Sequence, residues 1–288
     1  MAGQTSLKMM GAIVGDTAGS PYEWHNIKHK ISLDEMATGR ARFTDDSVMT
    51  CAVADGMMNA LGKLTADWFQ TGGEAARKEI SRQIVRSLKQ FGRAFPNAGY
   101  GGSFYRWLMT ENSLPYGSWG NGSAMRVSFA GWAARSLGEA ELLGELSAAV
   151  THDHPEGIKG AKAVAGCIYI LRTGGSKEDV RRYASQYYDL SFTLDEIRPD
   201  YSFDVSCQGS VPQAIVAFLT GTDFADVIAE AISIGGDSDT IAAIAGSIAE
   251  ALYPIPPELI YRVTERMAPE MRSVVKQAND FLGNRHTA

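Results

Sequence analysis

Residues 7–19 read Leu-Lys-Met-Met-Gly-Ala-Ile-Val-Gly-Asp-Thr-Ala-Gly, and the spacing of their glycines decides the fold prediction. Gly11, Gly15 and Gly19 recur every four residues, which places them on one face of a helix. A helix face without side chains lets a second backbone approach closely. Membrane helix pairs use the same spacing, but this segment is shorter than the ~20 apolar residues that a membrane span needs. We therefore predict a helix packed tightly inside a globular core.

The rest of the chain is also dominated by helical patterns. Apolar residues at helical spacing predict helices at 47–61, 74–91, 121–137, 139–150, 157–172, 177–188, 211–219, 224–234, 239–253 and 257–281. Strand patterns are scarce, and the polar stretch 193–205 is predicted to be irregular. Since no linker or repeat interrupts the pattern, we predict a compact all-α bundle in which residues 1–288 form a single domain.

Composition limits the class of protein and its partners. The 288 residues are 45% hydrophobic and can bury a large core, and a net charge of −6 argues against a nucleic-acid surface. The three cysteines are scattered, which is typical of reduced thiols and disfavours disulfides or zinc. No membrane span or signal-peptide pattern is visible. We therefore expect a cytoplasmic monomer without membrane or nucleic-acid partners, although a non-classical export signal would not be readable here.

Acidic clusters stand at both ends of the chain. Phe43-Thr44-Asp45-Asp46-Ser47 and Gly235-Gly236-Asp237-Ser238-Asp239-Thr240 each precede an apolar helical run. Their oxygen atoms suit Mg²⁺, Mn²⁺ or Ca²⁺, although either cluster alone could serve simply as a helix N-cap. The matching content of the two clusters favours a shared metal site. Its predicted ligands are Thr44, Asp45, Asp46, Asp237, Asp239 and Thr240.

Glycine-rich loops precede two further helices. Gly99-Tyr100-Gly101-Gly102-Ser103 and Gly117-Ser118-Trp119-Gly120-Asn121-Gly122-Ser123 could bind phosphate through free backbone N–H groups, or could be flexible turns. Neither matches the P-loop pattern. In Thr151-His152-Asp153-His154-Pro155, two histidines without a third ligand are weak evidence for a metal. We expect this turn to present His154 to a ligand, and for His152 a purely structural hydrogen bond stays equally open.

In their order along the chain, these motifs resemble those of the ADP-ribosylglycohydrolase family, which includes the dinitrogenase reductase-activating glycohydrolase. The resemblance runs nearly from end to end. It rests on Gly11-Ala12-Ile13-Val14-Gly15-Asp16 with Glu23 downstream, residues 43–47, 99–101, Gly120-Asn121-Gly122-Ser123-Ala124-Met125-Arg126, residues 151–155, Ser210-Val211-Pro212-Gln213-Ala214 and residues 235–240. Residues 190–206, and 21–42 apart from Glu23, match no pattern and could contribute to substrate choice.

The resemblance implies an orthogonal all-α fold that carries two divalent cations, Mg²⁺ or Mn²⁺, and binds ADP-ribose. It implies that Glu23 is a metal ligand or a catalytic carboxylate. We predict Glu23 and Asp46 as the catalytic residues, and Asp46 or Asp16 is the next candidate if Glu23 does not carry the reaction. The flanking oxygen ligands favour Asp45 and Asp239 as bridging residues. The resemblance also implies a set of substrate-binding residues. These are Gly101, Gly102, Ser103, Gly117, Ser118, Trp119, Gly120, Asn121, Gly122 and His154, with Val211 and Pro212 on the adenine side.

The predicted function is a metal-dependent hydrolase. It would cleave the glycosidic bond between ADP-ribose and an arginine side chain, a serine side chain or a small molecule, and release ADP-ribose. One alternative is a catalytically inactive ADP-ribose-binding module, which the intact acidic clusters disfavour. Another is a nucleotide pyrophosphohydrolase with a dinuclear metal centre, which would release AMP instead.

Overall fold

A computed structural model of the chain describes residues 7–112 and 114–287, with the side chains of residues 286 and 287 left out. Within these ranges the chain is helical and has no strand, apart from a single isolated bridge between Gly120 and Ser206. The all-α prediction is therefore confirmed. The helices are α1 Met10–Gly19, α2 Asp45–Leu61, α3 Trp68–Thr71, α4 Gly73–Ala94, α5 Gly102–Met109, α6 Gly122–Met125, α7 Ser128–Ala133, α8 Leu137–Ala149, α9 Pro155–Arg172, α10 Lys177–Ala184, α11 Leu194–Ile197, α12 Cys207–Thr220, α13 Phe224–Ser233, α14 Ser238–Ala249, α15 Pro257–Thr264 and α16 Pro269–Thr287.

The centre of the bundle is the antiparallel pair of α1 and α14, and both helices are buried along their whole lengths. The glycine face of α1 contacts the backbone of α14: Gly11 meets Gly246, and Gly15 meets Ala242. At the far end, a Cβ atom on Gly19 would lie only 2.5 Å from the carbonyl oxygen of Ser238. The prediction of a tightly packed glycine helix is confirmed, and the partner is the helix that follows the second acidic cluster.

The remaining helices surround this pair. Helices α12 and α13 pack on α14, α4 packs on α2, α8 packs on α9, and α16 lies against α2 and α7. One hydrophobic core includes residues from Met9 to Leu282. The described cysteines are free and buried, as predicted. Across the described ranges, no helix combines the length and apolarity that would be needed to cross a membrane.

Two predicted helices are interrupted in the structure, and several others begin or end a few residues away from the predicted positions. The predicted helix 121–137 is divided into α6 and α7, and α8 begins at Leu137 after the cap of Ser136. The predicted helix 257–281 is broken before Pro269, because a proline cannot donate the hydrogen bond that would continue α15. Helix α12 begins at Cys207, ahead of the predicted Val211, because the hydroxyl of Ser206 accepts from the N–H of Gly209.

Candidate active site

A cavity of about 390 Å³ opens where the C-terminal end of α1 and the N-terminal ends of α2 and α14 meet the glycine-rich loops. We call the lining carboxylates the acidic wall, and the lining glycines with their aromatic and polar neighbours the glycine wall. The lining residues are Glu23, Trp24, Asp45, Asp46, Met49, Gly99, Gly101, Gly102, Ser103, Phe104, Tyr116, Ser118, Gly120, Asn121, Gly122, Met125, Arg126, His152, Phe203, Val205, Asp237, Asp239 and Thr240. The packing of α1 on α14 thus brings both acidic clusters into one wall.

The two acidic clusters differ in their role as helix caps. The hydroxyl of Thr44 accepts from the backbone N–H of Asp46 at 3.3 Å and caps α2. Asp237 occupies the N-cap position of α14 but makes no side-chain capping bond. Helix capping therefore accounts for part of the first cluster and leaves the carboxylate of Asp237 free for another role.

Asp16 of α1 joins the first cluster from a distant part of the sequence. Its side chain is fully buried and accepts hydrogen bonds from the N–H of Thr44 at 2.9 Å and from the hydroxyl of Thr44 at 2.7 Å. The N–H of Ser47 donates to it at 3.1 Å, and the hydroxyl of Ser47 donates as well. Asp16 therefore fixes the start of α2 against α1. The sequence marked it only as a reserve catalytic candidate.

The carboxylates form two triads that share one residue. Oxygen atoms of Asp16, Asp46 and Asp239 lie within 4.8 Å of one another, and so do those of Glu23, Asp237 and Asp239. Asp239 belongs to both triads, as its predicted bridging position requires. In the described part of the chain, Asp45 belongs to neither triad, and its Oδ1 lies 3.2 Å from where a Cβ atom on Gly99 would be.

The threonine hydroxyls of the two clusters converge on Asp46. Thr240 donates to Asp46 Oδ2 at 3.2 Å, and Thr44 is 3.3 Å from the same oxygen. The other oxygen, Oδ1, is buried without a hydrogen-bond partner among the described residues. An orphaned carboxylate oxygen is costly in a protein interior, and a cation is one group that would satisfy it.

The crowding of carboxylates raises their pKa values. Burial, followed by the charges of Asp16 and Asp237, raises the pKa of Asp45 to about 8. Burial and the neighbouring carboxylates raise the pKa values of Asp46 and Asp239 well above the usual range. Like charges at such short range destabilise each other unless protons or cations neutralise them. The donor set consists of oxygen atoms alone, which suits a hard divalent cation.

Glu23 differs from the aspartates because it lies on the loop after α1 and is only partly buried. Burial and the charge of Asp237 raise its pKa, while Arg42 and a hydrogen bond from Trp24 oppose the shift. Next to Glu23, the Trp24 ring stacks on Phe203 with centroids 5.0 Å apart. Glu23 thus lies between the acidic wall and the stacked pair of Trp24 and Phe203, which form an aromatic rim of the cavity.

The glycine wall contains most of the predicted substrate-binding residues. Gly101, Gly102 and Ser103 line the cavity, as do Ser118 and residues 120–122. The side chain of Asn121 turns toward the acidic wall, where its Nδ2 donates to Asp237 Oδ2 at 2.6 Å and to the hydroxyl of Ser210 at 2.9 Å. Asn121 is therefore positioned to orient Asp237.

Other predicted residues lie away from the cavity. His154 caps α9, and its Nδ1 accepts from the N–H of Glu156 at 3.1 Å. Val211 and Pro212 are buried inside α12. Gly117 and Trp119 are exposed and are not among the lining residues of the described chain. Contact between these residues and a substrate stays a prediction.

His152 lines the cavity in place of His154. It is 4% exposed, and its Nδ1 lies 2.7 Å from the hydroxyl of Thr151. Burial and the nearby charge of Arg126 lower its pKa well below the usual range, so the ring is neutral. A neutral imidazole beside the glycine wall can exchange hydrogen bonds with a ligand without adding charge.

Comparison with known proteins identifies the family. A family model described as ADP-ribosylglycohydrolase matches residues 8–287. The chain belongs to the ADP-ribosylglycohydrolase family. The family assignment confirms the prediction of a glycohydrolase enzyme.

Individual relatives are distant but cover most of the chain. ADP-ribosylhydrolase ARH3 of Mus musculus is 26% identical over 320 residues, which cover 85% of this chain and 82% of that protein. ADP-ribosylarginine hydrolase Tri1 of Pseudomonas putida (strain GB-1) is 21% identical over 298 residues, covering 95% and 79%. A solved structure, an ADP-ribosylglycohydrolase-related protein complex, superposes with a TM-score of 0.60 at 19% identity, covering 95% of this chain and 96% of that one. The fold of this chain is therefore the fold of that structure.

Several lining residues of this ADP-ribosylglycohydrolase were not predicted as site residues. Arg126 and Met125 belong to the motif at 120–126, which the sequence did single out. Trp24 and Phe203 come from the two segments without a family pattern. Only the exposure of such large apolar side chains, 72% for Trp24 and 43% for Phe203, marks them, and the sequence does not show it.

Proposed function

We propose that this ADP-ribosylglycohydrolase hydrolyses the glycosidic bond that links ADP-ribose to an arginine or serine side chain or to a small molecule. The observation that carries the proposal is the cavity, in which two carboxylate triads sharing Asp239 face the glycine wall. Its volume of about 390 Å³ falls within the range of roughly 300–1,000 Å³ that is usual for small-ligand sites. An acidic wall and a backbone-lined wall suit the ribose and phosphate portions of one substrate.

The residues fit a pair of divalent cations, Mg²⁺ or Mn²⁺. Asp46 Oδ1 is buried and has no hydrogen-bond partner in the part of the chain that the structure describes, and the converging ligand atoms are all oxygens. One cation would be held by Asp16, Asp46 and Asp239, and the other by Asp237 and Asp239, with Glu23, Thr44, Asp45 and Thr240 beside them. When bound, such ions polarise substrate oxygens and stabilise charge that develops in the transition state.

Glu23 is the carboxyl group placed to move a proton. Cleavage of a glycoside passes through an oxocarbenium-like state, and the departing nitrogen or oxygen must gain a proton. The aspartates are buried at the ends of α1, α2 and α14, whereas Glu23 lies on the loop after α1, lines the cavity and is only partly buried. Burial and the charge of Asp237 raise its pKa, which makes this carboxyl a better proton carrier than an exposed glutamate. We assign to its carboxyl oxygen the transfer of that proton to the leaving group.

The glycine wall and Arg126 suit the diphosphate. Gly101 precedes α5. The first backbone N–H groups of a helix can donate hydrogen bonds to an anion that binds at the helix start. Arg126 is 1% exposed and lines the cavity, and it donates to the carbonyl of Ser147 at 2.9 Å and the hydroxyl of Thr151 at 2.8 Å. The Nε atom of Arg126 is buried without a partner among the described residues. An anionic ligand would balance this buried cation.

The products of one reaction distinguish the candidate functions. Wild-type protein would be incubated with ADP-ribosyl-arginine and ADP-ribosyl-serine proteins, with Mg²⁺ and with Mn²⁺, and the products separated by chromatography. We expect free ADP-ribose from at least one of the two linkages. AMP would instead indicate a pyrophosphohydrolase. Binding of ADP-ribose without any product would indicate an inactive binding module.

A further inference from the structure

Three loop segments around the active site meet at one lysine. The ammonium group of Lys28 donates to the carbonyl oxygen of Tyr201 at 2.5 Å and to that of Ile234 at 2.6 Å. It also lies 5.9 Å from the centre of the Tyr201 ring. Lys28 therefore joins the loop after α1 to the segment before α12 and to the end of α13.

Each joined segment carries a residue that lines the cavity. Glu23 precedes Lys28 on the first loop, Phe203 follows Tyr201, and Asp237 follows Ile234. The stack of Trp24 on Phe203 is a second link between the first two segments. Lys28 thus connects the segments that carry Glu23, Phe203 and Asp237.

Asn26 supplies a parallel link to the second acidic cluster. Its Oδ1 accepts from the N–H of Gly236 at 3.1 Å, and its backbone is left-handed with φ of 47°. Asparagine adopts this conformation more readily than most residues. A Cβ atom on Gly236 would lie 2.5 Å from the Tyr201 ring, so only glycine at position 236 lets the Gly235–Gly236 turn lie against Tyr201.

The triad that contains Glu23 needs such a link. Its oxygen atoms lie within 4.8 Å of those of Asp237 and Asp239, and like charges at this distance repel one another. Glu23 stands on a loop, whereas Asp237 and Asp239 stand at the start of α14. Without a bond between the loop and the turn, repulsion would move Glu23 outward.

We propose that Lys28 is a positioning residue that holds Glu23 against Asp237 and the aromatic pair at the rim. This inference rests on the proposed function, in which Glu23 handles the proton. A displacement of about 1 Å in a catalytic group can cost about 100-fold in rate. Lys28 therefore affects turnover through Glu23, without contacting the substrate.

The test compares K28M with K28R and with K30M as a matched control. Lys30 lies on the same loop but pairs with Asp226 at 2.5 Å and Glu230 at 2.8 Å on α13, away from the Gly235–Gly236 turn. We expect turnover of K28M to fall by roughly 10- to 100-fold, with KM within about threefold of wild type. K30M should stay within about threefold in turnover, and K28R should recover most of the loss because its guanidinium can donate to both carbonyls.

A double-mutant cycle with E23Q separates positioning from general destabilisation. If Lys28 acts through Glu23, K28M should cost little further turnover in the E23Q background. The proposal would be overturned if K28M reduced turnover equally in the wild-type and E23Q backgrounds. It would also be overturned if K28M and K30M had equal turnover. If K28M fails to fold, N26G replaces it, because glycine tolerates the left-handed backbone at this position and the variant removes the side-chain bond to Gly236. The same losses are then expected to be smaller.

Calorimetric titration with Mn²⁺ tests the inference without a reaction. We expect K28M to bind Mn²⁺ at least tenfold more weakly than wild type, and K30M to bind it as wild type does. Unchanged Mn²⁺ affinity together with unchanged turnover in K28M rejects the role of Lys28. If wild type releases no ADP-ribose from any substrate, the proposed function fails, and the Mn²⁺ titration alone decides the positioning role.

Discussion

The two ends of the α1–α14 pair both contain buried carboxylates, but in very different settings. At one end, Asp16 meets Asp46 and Asp239 beside the cavity. At the other end, Glu250 stands alone after α14, and its Oε1 accepts from the N–H of Met10 at 3.1 Å. Each end has one carboxylate oxygen without a hydrogen-bond partner among the described residues, Oδ1 of Asp46 and Oε2 of Glu250. Burial raises the pKa of Glu250 to about 7.

The comparison teaches that burial and a raised pKa do not by themselves mark an active site. Glu250 is satisfied on one side by the N–H groups at the start of α1, where the helix dipole favours negative charge. In the described part of the chain, Glu250 is not one of the residues that line the cavity. The other end differs because several carboxylates from separate helices converge on one accessible space. Convergence and access identify the functional end, so the two ends should respond differently to chelation, substitution and pH.

Removal of divalent cations should have the largest effect, and only at the cavity end. We expect EDTA to abolish hydrolysis and added Mg²⁺ or Mn²⁺ to restore it, because the carboxylates would otherwise repel one another. D239N should lose bound metal while keeping its helix content by circular dichroism, because Asp239 belongs to both triads. D34N, on an exposed aspartate, serves as the control. Full activity in a chelated sample would contradict the metal site.

Glu23 should show the second-largest effect. E23Q keeps the size of the side chain and its hydrogen bonds but cannot transfer a proton. We expect turnover to fall by roughly 10²–10⁴-fold, with ADP-ribose affinity changing far less. Stopped assays of initial rate and a separate binding titration measure the two quantities. Turnover within about threefold of wild type would exclude Glu23 as the catalytic carboxylate and leave Asp46 or Asp16 as the next candidate.

The glycine wall should respond to a single added side chain. A Cβ atom on Gly122 would lie 3.2 Å from His152 Nε2, and the branches of a valine would extend into the cavity. We expect G122V to weaken ADP-ribose binding by roughly 10- to 100-fold, which corresponds to about 1.4–2.8 kcal/mol. Titration calorimetry on a variant with an unchanged melting temperature measures the loss. Unaltered affinity would place the ligand away from this wall.

Glu250 should affect stability alone, with the smallest effect. Its pKa of about 7 in the folded state lies above the usual glutamate value of 4.5, so between these pH values the folded state binds a proton that the unfolded state has lost. Stability of wild type relative to E250Q should therefore rise as pH falls from 8 to 5, by about 1–3 kcal/mol.

Urea unfolding of both proteins in EDTA at each pH measures this difference, and E258Q, on an exposed glutamate, reports the effect of losing a surface charge. A difference between wild type and E250Q that does not change with pH would contradict the assignment. Hydrolysis by E250Q should match wild type, since Glu250 lies at the end of the pair away from the cavity.

The sequence by itself determined the helical class, the glycine face of α1, the two acidic clusters and the family. Glycine spacing, apolar periodicity and short motifs depend on residues that are close together in the sequence, and the family depends on the order of the motifs. None of these features requires knowledge of the fold. The prediction of one helix at 257–281 missed the break before Pro269, although proline disrupts a helix interior wherever it occurs.

Only the tertiary structure decided which side chains share the cavity. Asp16 meets Asp46 and Asp239 because the glycine face of α1 brings the backbones of α1 and α14 into contact. No local sequence pattern shows that these side chains lie close together. The same applies to His152, which faces the cavity while His154 caps α9. Lys28 is the extreme case, because its partners are backbone carbonyls far away in the chain. Backbone atoms carry no residue identity, so sequence patterns contain no sign of such a contact.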